Sequence, residues 1–220
     1  MAKAKISIVT AVLLLAAANL KAYAYENGDF QIWHTEAQEF ELTNKWSMPI
    51  EEEWRYGNDA AELYYQHYEA GIAYDINKYF TVTGNYRQVW EGERGKLRPE
   101  YRPYIQAIPK LDIWVFKFED RNRLEYRLFD YKDDILRYRN KVSVKLPLEF
   151  HGFEFAPYVA NEIFVDINEA IMRKNRFSTG IILNVVKGLK GEVYYMLQST
   201  KKSGRWTGAN ILGLRLKVSF

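Results

Sequence analysis

The chain has 220 residues, no cysteine, 16% aromatic residues and a formal net charge of +3. This length suits a single domain, and the absence of thiols excludes disulfides, thiolate metal sites, cysteine nucleophiles and an acylated anchor. Lys3, Lys5 and Lys21 account for the whole surplus. Beyond residue 24 the 28 basic residues equal the 28 acidic ones, which argues against nucleic-acid binding by a basic surface.

Residues 1–24 read as a secretory signal peptide. Lys3 and Lys5 precede an apolar run over 6–18, and Ala22-Tyr23-Ala24 supplies the small residues of a cleavage site. The run is shorter than the ~18–20 residues needed to cross a bilayer. Residues 25–220 are then one exported domain. Within it no uncharged apolar run reaches helical spanning length, so an α-helical membrane protein is excluded.

The rest of the chain alternates with period two. After an extended stretch over 29–42, Trp46, Met48, Ile50 and Trp54 oppose Ser47, Glu51, Glu53 and Arg55. Phe80, Val82, Gly84 and Tyr86 oppose Thr81, Thr83, Asn85 and Arg87. Trp114, Phe116, Phe118, Leu124 and Tyr126 oppose Lys117, Glu119, Arg121, Arg123, Glu125 and Arg127. Leu136, Tyr138, Val142 and Val144 oppose Arg137, Arg139, Lys141 and Lys145, and Val159, Ile163 and Val165 oppose Tyr158, Ala160 and Glu162. Val193, Tyr195 and Leu197 oppose Glu192, Tyr194 and Gln198. Finally, Leu214, Leu216, Val218 and Phe220 oppose Arg215, Lys217 and Ser219.

Short connections are expected at 75–78, 109–112, 150–152 and 187–190, and mostly longer polar ones at 57–61, 91–98, 130–134, 168–174 and 199–205. Short turns at one end and longer loops at the other are the arrangement of outer-membrane barrels. Ten strands are counted from Trp46 onward. The stretch over 29–42 makes an eleventh, against the even count usual in bacterial barrels. Either a strand is missed or 29–42 joins the wall in an unusual way.

Charge on the polar faces and aromatics near strand ends favour an apolar outside. Trp46 and Trp54 lie eight residues apart, roughly 20 Å along a bilayer normal at ordinary rise and tilt, about the spacing of two aromatic girdles. Phe80 and Trp90 form a similar pair. The alternation Leu214, Leu216, Val218, Phe220 resembles the signal read by barrel-assembly machinery. The expected fold is therefore an all-β transmembrane antiparallel barrel of about 10–12 strands in a bacterial outer membrane, reached through the periplasm. Lipid and the assembly machinery are its expected partners. A soluble periplasmic barrel that acts as a binding module is the alternative.

Several short segments add a family resemblance: Phe30-Gln31-Ile32-Trp33, Glu53-Trp54-Arg55, Glu100-Tyr101-Arg102-Pro103, residues 121–127, Arg137-Tyr138-Arg139, Asn161-Glu162-Ile163-Phe164 and Asn175-Arg176. In this order they resemble domain-of-unknown-function family 2490, predicted outer-membrane β-barrels. The resemblance implies location and fold, and it carries no activity to any residue.

The densest chemistry is the ladder Arg121, Arg123, Glu125 and Arg127, with Arg137 and Arg139 on the next strand and Glu162, Arg176 and Asn161 as further members. Residues two apart share a face, so the ladder projects into the lumen. It reads either as an anion-selecting constriction or as a salt-bridge network that fills a narrow barrel, with the second favoured. An outer-membrane lipid hydrolase built on His67 and Glu69 is the enzymatic alternative, but no Gly-x-Ser-x-Gly elbow accompanies it. His34, His67 and His151 lack metal-ligand spacing. The sequence therefore points to a non-enzymatic narrow channel or structural barrel with no metal or cofactor. Any small-molecule or ion permeant is unidentified.

Overall fold

A computed structural model describes residues 28–93, 96–202 and 204–220. The expected signal peptide lies outside these residues, as do positions 94, 95 and 203 of two expected loops.

Twelve strands are described. They are β1 (Asp29–Glu41), β2 (Trp46–Gly57), β3 (Glu62–Asn77), β4 (Phe80–Glu93), β5 (Lys96–Ile113), β6 (Phe116–Phe129), β7 (Ile135–Lys145), β8 (Leu148–Phe150), β9 (Phe153–Asp166), β10 (Ile171–Val186), β11 (Leu189–Lys202) and β12 (Arg205–Ser219). The three residues of β8 pair only with β9 and continue the line of β7 past Leu146, whose N–H donates to the Pro157 carbonyl at 3.0 Å. The other eleven form a closed barrel in which each strand pairs with the next, except where β9 follows β7, and β1 closes against β12.

The odd count has a geometric consequence. Each turn reverses the chain, so the first and eleventh strands of a closed eleven-strand wall run the same way. β1 and β12 pair in parallel, from Asp29↔Ala209 to Glu39↔Ser219, whereas the other wall pairs are antiparallel. The stretch over 29–42 thus belongs to the wall through a parallel seam. Phe220 helps to hold it: its N–H donates to Glu39 at 2.9 Å, its carbonyl accepts from Glu41 at 3.1 Å, and its ring stacks on Phe40 at 5.0 Å.

The connections are tighter than the sequence suggests. At one end lie 42–45, 78–79, 114–115, 151–152 and 187–188; at the other lie 58–61, 130–134 and 167–170. The expected turn at 109–112 is strand. β5 runs to Ile113, and the reversal falls on Trp114, which has φ 62° and is 89% exposed rather than part of the β6 face. The expected loops at 91–98 and 199–205 are mostly hairpin, since pairing continues to Glu93↔Lys96 and Lys202↔Arg205. His151 and Gly152 both have positive φ, the conformation that lets a two-residue turn follow the twist of its strands.

The alternation resolves as expected. Arg123, Glu125, Arg127, Arg139, Glu162 and Arg176 are buried inside, whereas Leu124, Tyr126, Val142, Leu214, Leu216 and Phe220 are exposed outside. Aromatics gather at both ends of the outer wall. Trp46 packs on Tyr74 at 4.6 Å near one rim, and Trp90 meets Tyr68 edge-on at 5.9 Å nearer the other. Two polar strips interrupt this wall. On β1 and β2 these are His34, Glu36, Gln38 and Glu52. On β6, β7, β9 and β10 they are Asp120, Asn122, Asn140, Asn161 and Asn175, and here the side chains hydrogen-bond one another: Asn140 Nδ2 donates to Asn122 at 3.1 Å, and Asn175 Nδ2 to Asn161 at 3.0 Å.

Candidate functional site: a charged lumen with one open end

The inward face of β6 carries Lys117, Glu119, Arg121, Arg123, Glu125 and Arg127, and that of β7 carries Arg137, Arg139, Lys141 and Lys145. Period-two pleating places them all on one side, and their register brings them level as Arg121↔Lys141, Arg123↔Arg139 and Glu125↔Arg137. The ladder residues share one face and fall into three ion-paired groups, around Glu162 and Glu125, around Glu100 and around Asp166. Arg139 donates to Glu125 at 3.1 Å and to Glu162 at 2.8 Å. Arg121 reaches Glu162 at 2.7 Å, and Arg176 lies 3.7 Å from the same carboxylate. Arg127 grips Glu100 with two bonds of 2.7 Å, and Arg137 pairs with Asp166 at 2.6 Å. Asn161 is not part of this network. As the neighbour of inward-facing Glu162 it takes the opposite face, outward, where it bonds Asn175.

Aromatic rings separate these cations. The Arg55 guanidinium lies 3.7 Å from the Trp33 ring centroid and 3.9 Å from that of Tyr65. Arg176 sits 4.7 Å from both Trp33 and Phe164, and Arg139 is 4.4 Å from Phe164. The sequence Tyr65–Arg55–Trp33–Arg176–Phe164–Arg139 crosses the lumen as alternating ring and cation, each contact of a kind worth about 0.5–2 kcal/mol. Trp33 Nε1 donates to Gln31 at 3.0 Å, and so does the Tyr64 hydroxyl at 2.7 Å. Register slips between β2 and β3 beside Tyr56, which lets the consecutive Tyr64 and Tyr65 both contact the interior. Trp33, Tyr65, Val89, Glu100, Glu125, Phe164 and Asp166 are each at most 3% exposed. Side chains therefore fill this part of the lumen.

Towards the end that carries turns 78–79, 114–115 and 187–188, the lumen widens into a cavity of about 1160 Å³. Trp33, Arg55, Arg123, Arg139 and Arg176 line its floor, and Lys110, Lys117, Lys145 and Lys217 its outer part. Its two sides differ in balance. On β2 and β3, Glu51, Glu53 and Glu69 are matched by three guanidinium groups: Arg55 on Glu53 at 2.5 Å, Arg87 on Glu69 at 2.5 Å and Arg215 on Glu51 at 2.8 Å. Tyr104 also donates to Glu69. On the opposite side Arg121, Arg123, Arg139, Lys141 and Arg176 share Glu125 and Glu162.

His67 faces the lumen beside Glu69, as expected, with Nε2 3.3 Å from Glu51 and Nδ1 3.7 Å from Glu53. Its contacts are with carboxylates and the Tyr65 ring, and among the described residues no hydroxyl bonds it. Glu51, His67 and Glu69 bring three donor atoms within 4.8 Å, but arginines already occupy both carboxylates, so a metal ion there would have to displace a guanidinium.

Trp33, Tyr65 and Phe164 were not singled out as lumen residues in the sequence. Alternation from Thr35 or Glu162 assigns Trp33 and Phe164 inward, but no short-range pattern reveals which cation each ring meets. Lys141 was legible as inward, but its missing partner was not.

Among curated proteins, no sequence matches this chain. Residues 30–209 match the family described as "Protein of unknown function (DUF2490)", and the chain belongs to that family.

Proposed function

We propose that this barrel is an outer-membrane component whose lumen is closed in its resting state and open from one side only as a blind vestibule. The supporting observation is the inversion of polarity: charge is buried inside, and large apolar side chains cover most of the outer wall. A barrel in lipid needs that arrangement because its outer side chains face hydrocarbon, and its closed strand ladder leaves no backbone group unpaired there. The outward amides of Asn122, Asn140, Asn161 and Asn175 partly satisfy one another, which lowers the cost of placing them in the wall. The vestibule opens at the end with the shorter turns, the periplasmic end by the usual asymmetry. The role is non-enzymatic.

The test is to express the full chain in a Gram-negative host, fractionate the envelope and compare heated with unheated samples on a gel. Recovery with outer membranes and a heat-dependent shift in mobility are expected. Recovery in the soluble periplasmic fraction would overturn the membrane assignment.

A further inference from the structure

We propose that the vestibule is a binding site for a multiply charged oxyanion of the phosphate class, seated on Lys141 and Arg121. This deepens the reading of the vestibule but does not depend on the membrane setting.

Like charges directly opposite on paired strands are destabilising. Yet the inward faces of β6 and β7 place Lys117 opposite Lys145, Arg121 opposite Lys141 and Arg123 opposite Arg139. Partners compensate only in part. Glu119 takes Lys145 at 3.1 Å, and Glu162 serves Arg121, Arg139 and Arg176 together. Across the floor, five cations share Glu125 and Glu162; with Glu192, which lines the same cavity and takes the Tyr158 hydroxyl but no cation among the described residues, a surplus of two positive charges remains.

Two details show where the deficit lies. Lys141 has no carboxylate within ion-pair distance among the described residues, although it lines the cavity and stands level with Glu162 on β9. Arg123 is 4% exposed; its Nη1 lacks a hydrogen-bond acceptor and stands 3.9 Å from Glu125, whose Oε1 is likewise without a donor. The β2–β3 side is internally matched, and Glu192 on β11, which lines the same cavity, takes the Tyr158 hydroxyl and stands beyond ion-pair distance of Lys141. A phosphate group supplies what is missing: more than one negative charge, with acceptor oxygens for an arginine fork and a lysine point charge at once. The cavity connects this position to the open end.

The experiment is calorimetric titration of the full barrel refolded in non-ionic detergent. The probes are inorganic pyrophosphate and, separately, a short-chain phosphatidic acid. Binding of either is expected, with affinity weakened roughly tenfold or more by Lys141→Met and by Arg121→Ala, the scale of one charge-assisted contact, and unchanged by the exposed-turn variant Lys187→Ala. Preference for pyrophosphate assigns a free phosphate compound, and preference for phosphatidic acid a lipid headgroup. Unfolding in urea is measured in parallel. Lys141→Met removes an opposed charge, so stability is expected to hold or rise. The proposal is overturned if neither probe binds, if Lys141→Met leaves affinity unchanged, or if it lowers stability as a structural residue would. None of these results bears on envelope fractionation, so failure here is separable from failure of the membrane assignment.

Discussion

At the residue scale, Glu162 is a carboxylate shared by three arginines in the lumen. It bonds Arg121 and Arg139 and lies near Arg176. A buried ion pair is weak evidence for stability, but deleting one partner strands the others in a low-dielectric interior. Glu162→Ala is therefore expected to lower the unfolding free energy by roughly 3–5 kcal/mol, read from urea titration in detergent. A loss below ~1 kcal/mol would mean that water screens the site as it does a surface pair. Gly213 makes a steric prediction. A Cβ there would lie 1.9 Å from Cζ of Tyr194, whose ring covers it from the paired strand. Gly213→Val is expected to cost about 1–3 kcal/mol through overpacking, with the loss reduced in the double variant Gly213→Val/Tyr194→Ala. The ladder from Arg121 to Arg127 was legible because alternation alone decides which face a side chain takes. The partners of Trp33 and Lys141 were not, because they depend on the stagger between strands that are distant in sequence.

At the element scale, the seam carries the lesson. Counting alternating segments gave eleven, and the conflict with an even barrel resolves once β1 is allowed to run parallel to β12. Alternation cannot reveal strand direction, so the sequence left the question open. Turn positions were less legible. Trp114 reads as part of the apolar face because it continues the β6 alternation, and its positive φ has no local signature of the Asn-Gly kind. The absence of cysteine makes the seam directly testable. Gln38 and Val218 are aligned across it, so mild oxidation of a Gln38→Cys/Val218→Cys chain is expected to give a cross-linked species with altered mobility that reduction abolishes. Gln38→Cys paired with Leu214→Cys, out of register, serves as the control. Equal cross-linking of both pairs, or of neither, would count against the parallel register.

At the scale of the whole molecule, fold and plug answer to different parts of the chain. The wall follows from the period of two, which makes the barrel the most legible feature. The interior follows from long-range packing, with Arg55 between Trp33 and Tyr65, and Arg176 between Trp33 and Phe164. On the proposed reading, these rings and guanidinium groups hold the lumen closed, and permeation would require their removal. The most direct test is steady current through purified barrels in a planar bilayer, comparing the wild-type chain with Trp33→Ala/Arg55→Ala. The wild-type barrel is predicted to be silent and the double variant to conduct, which would show at once that the protein spans the bilayer and that this stack closes it. A steady ohmic current from the wild-type barrel, unchanged in the double variant, would contradict the account.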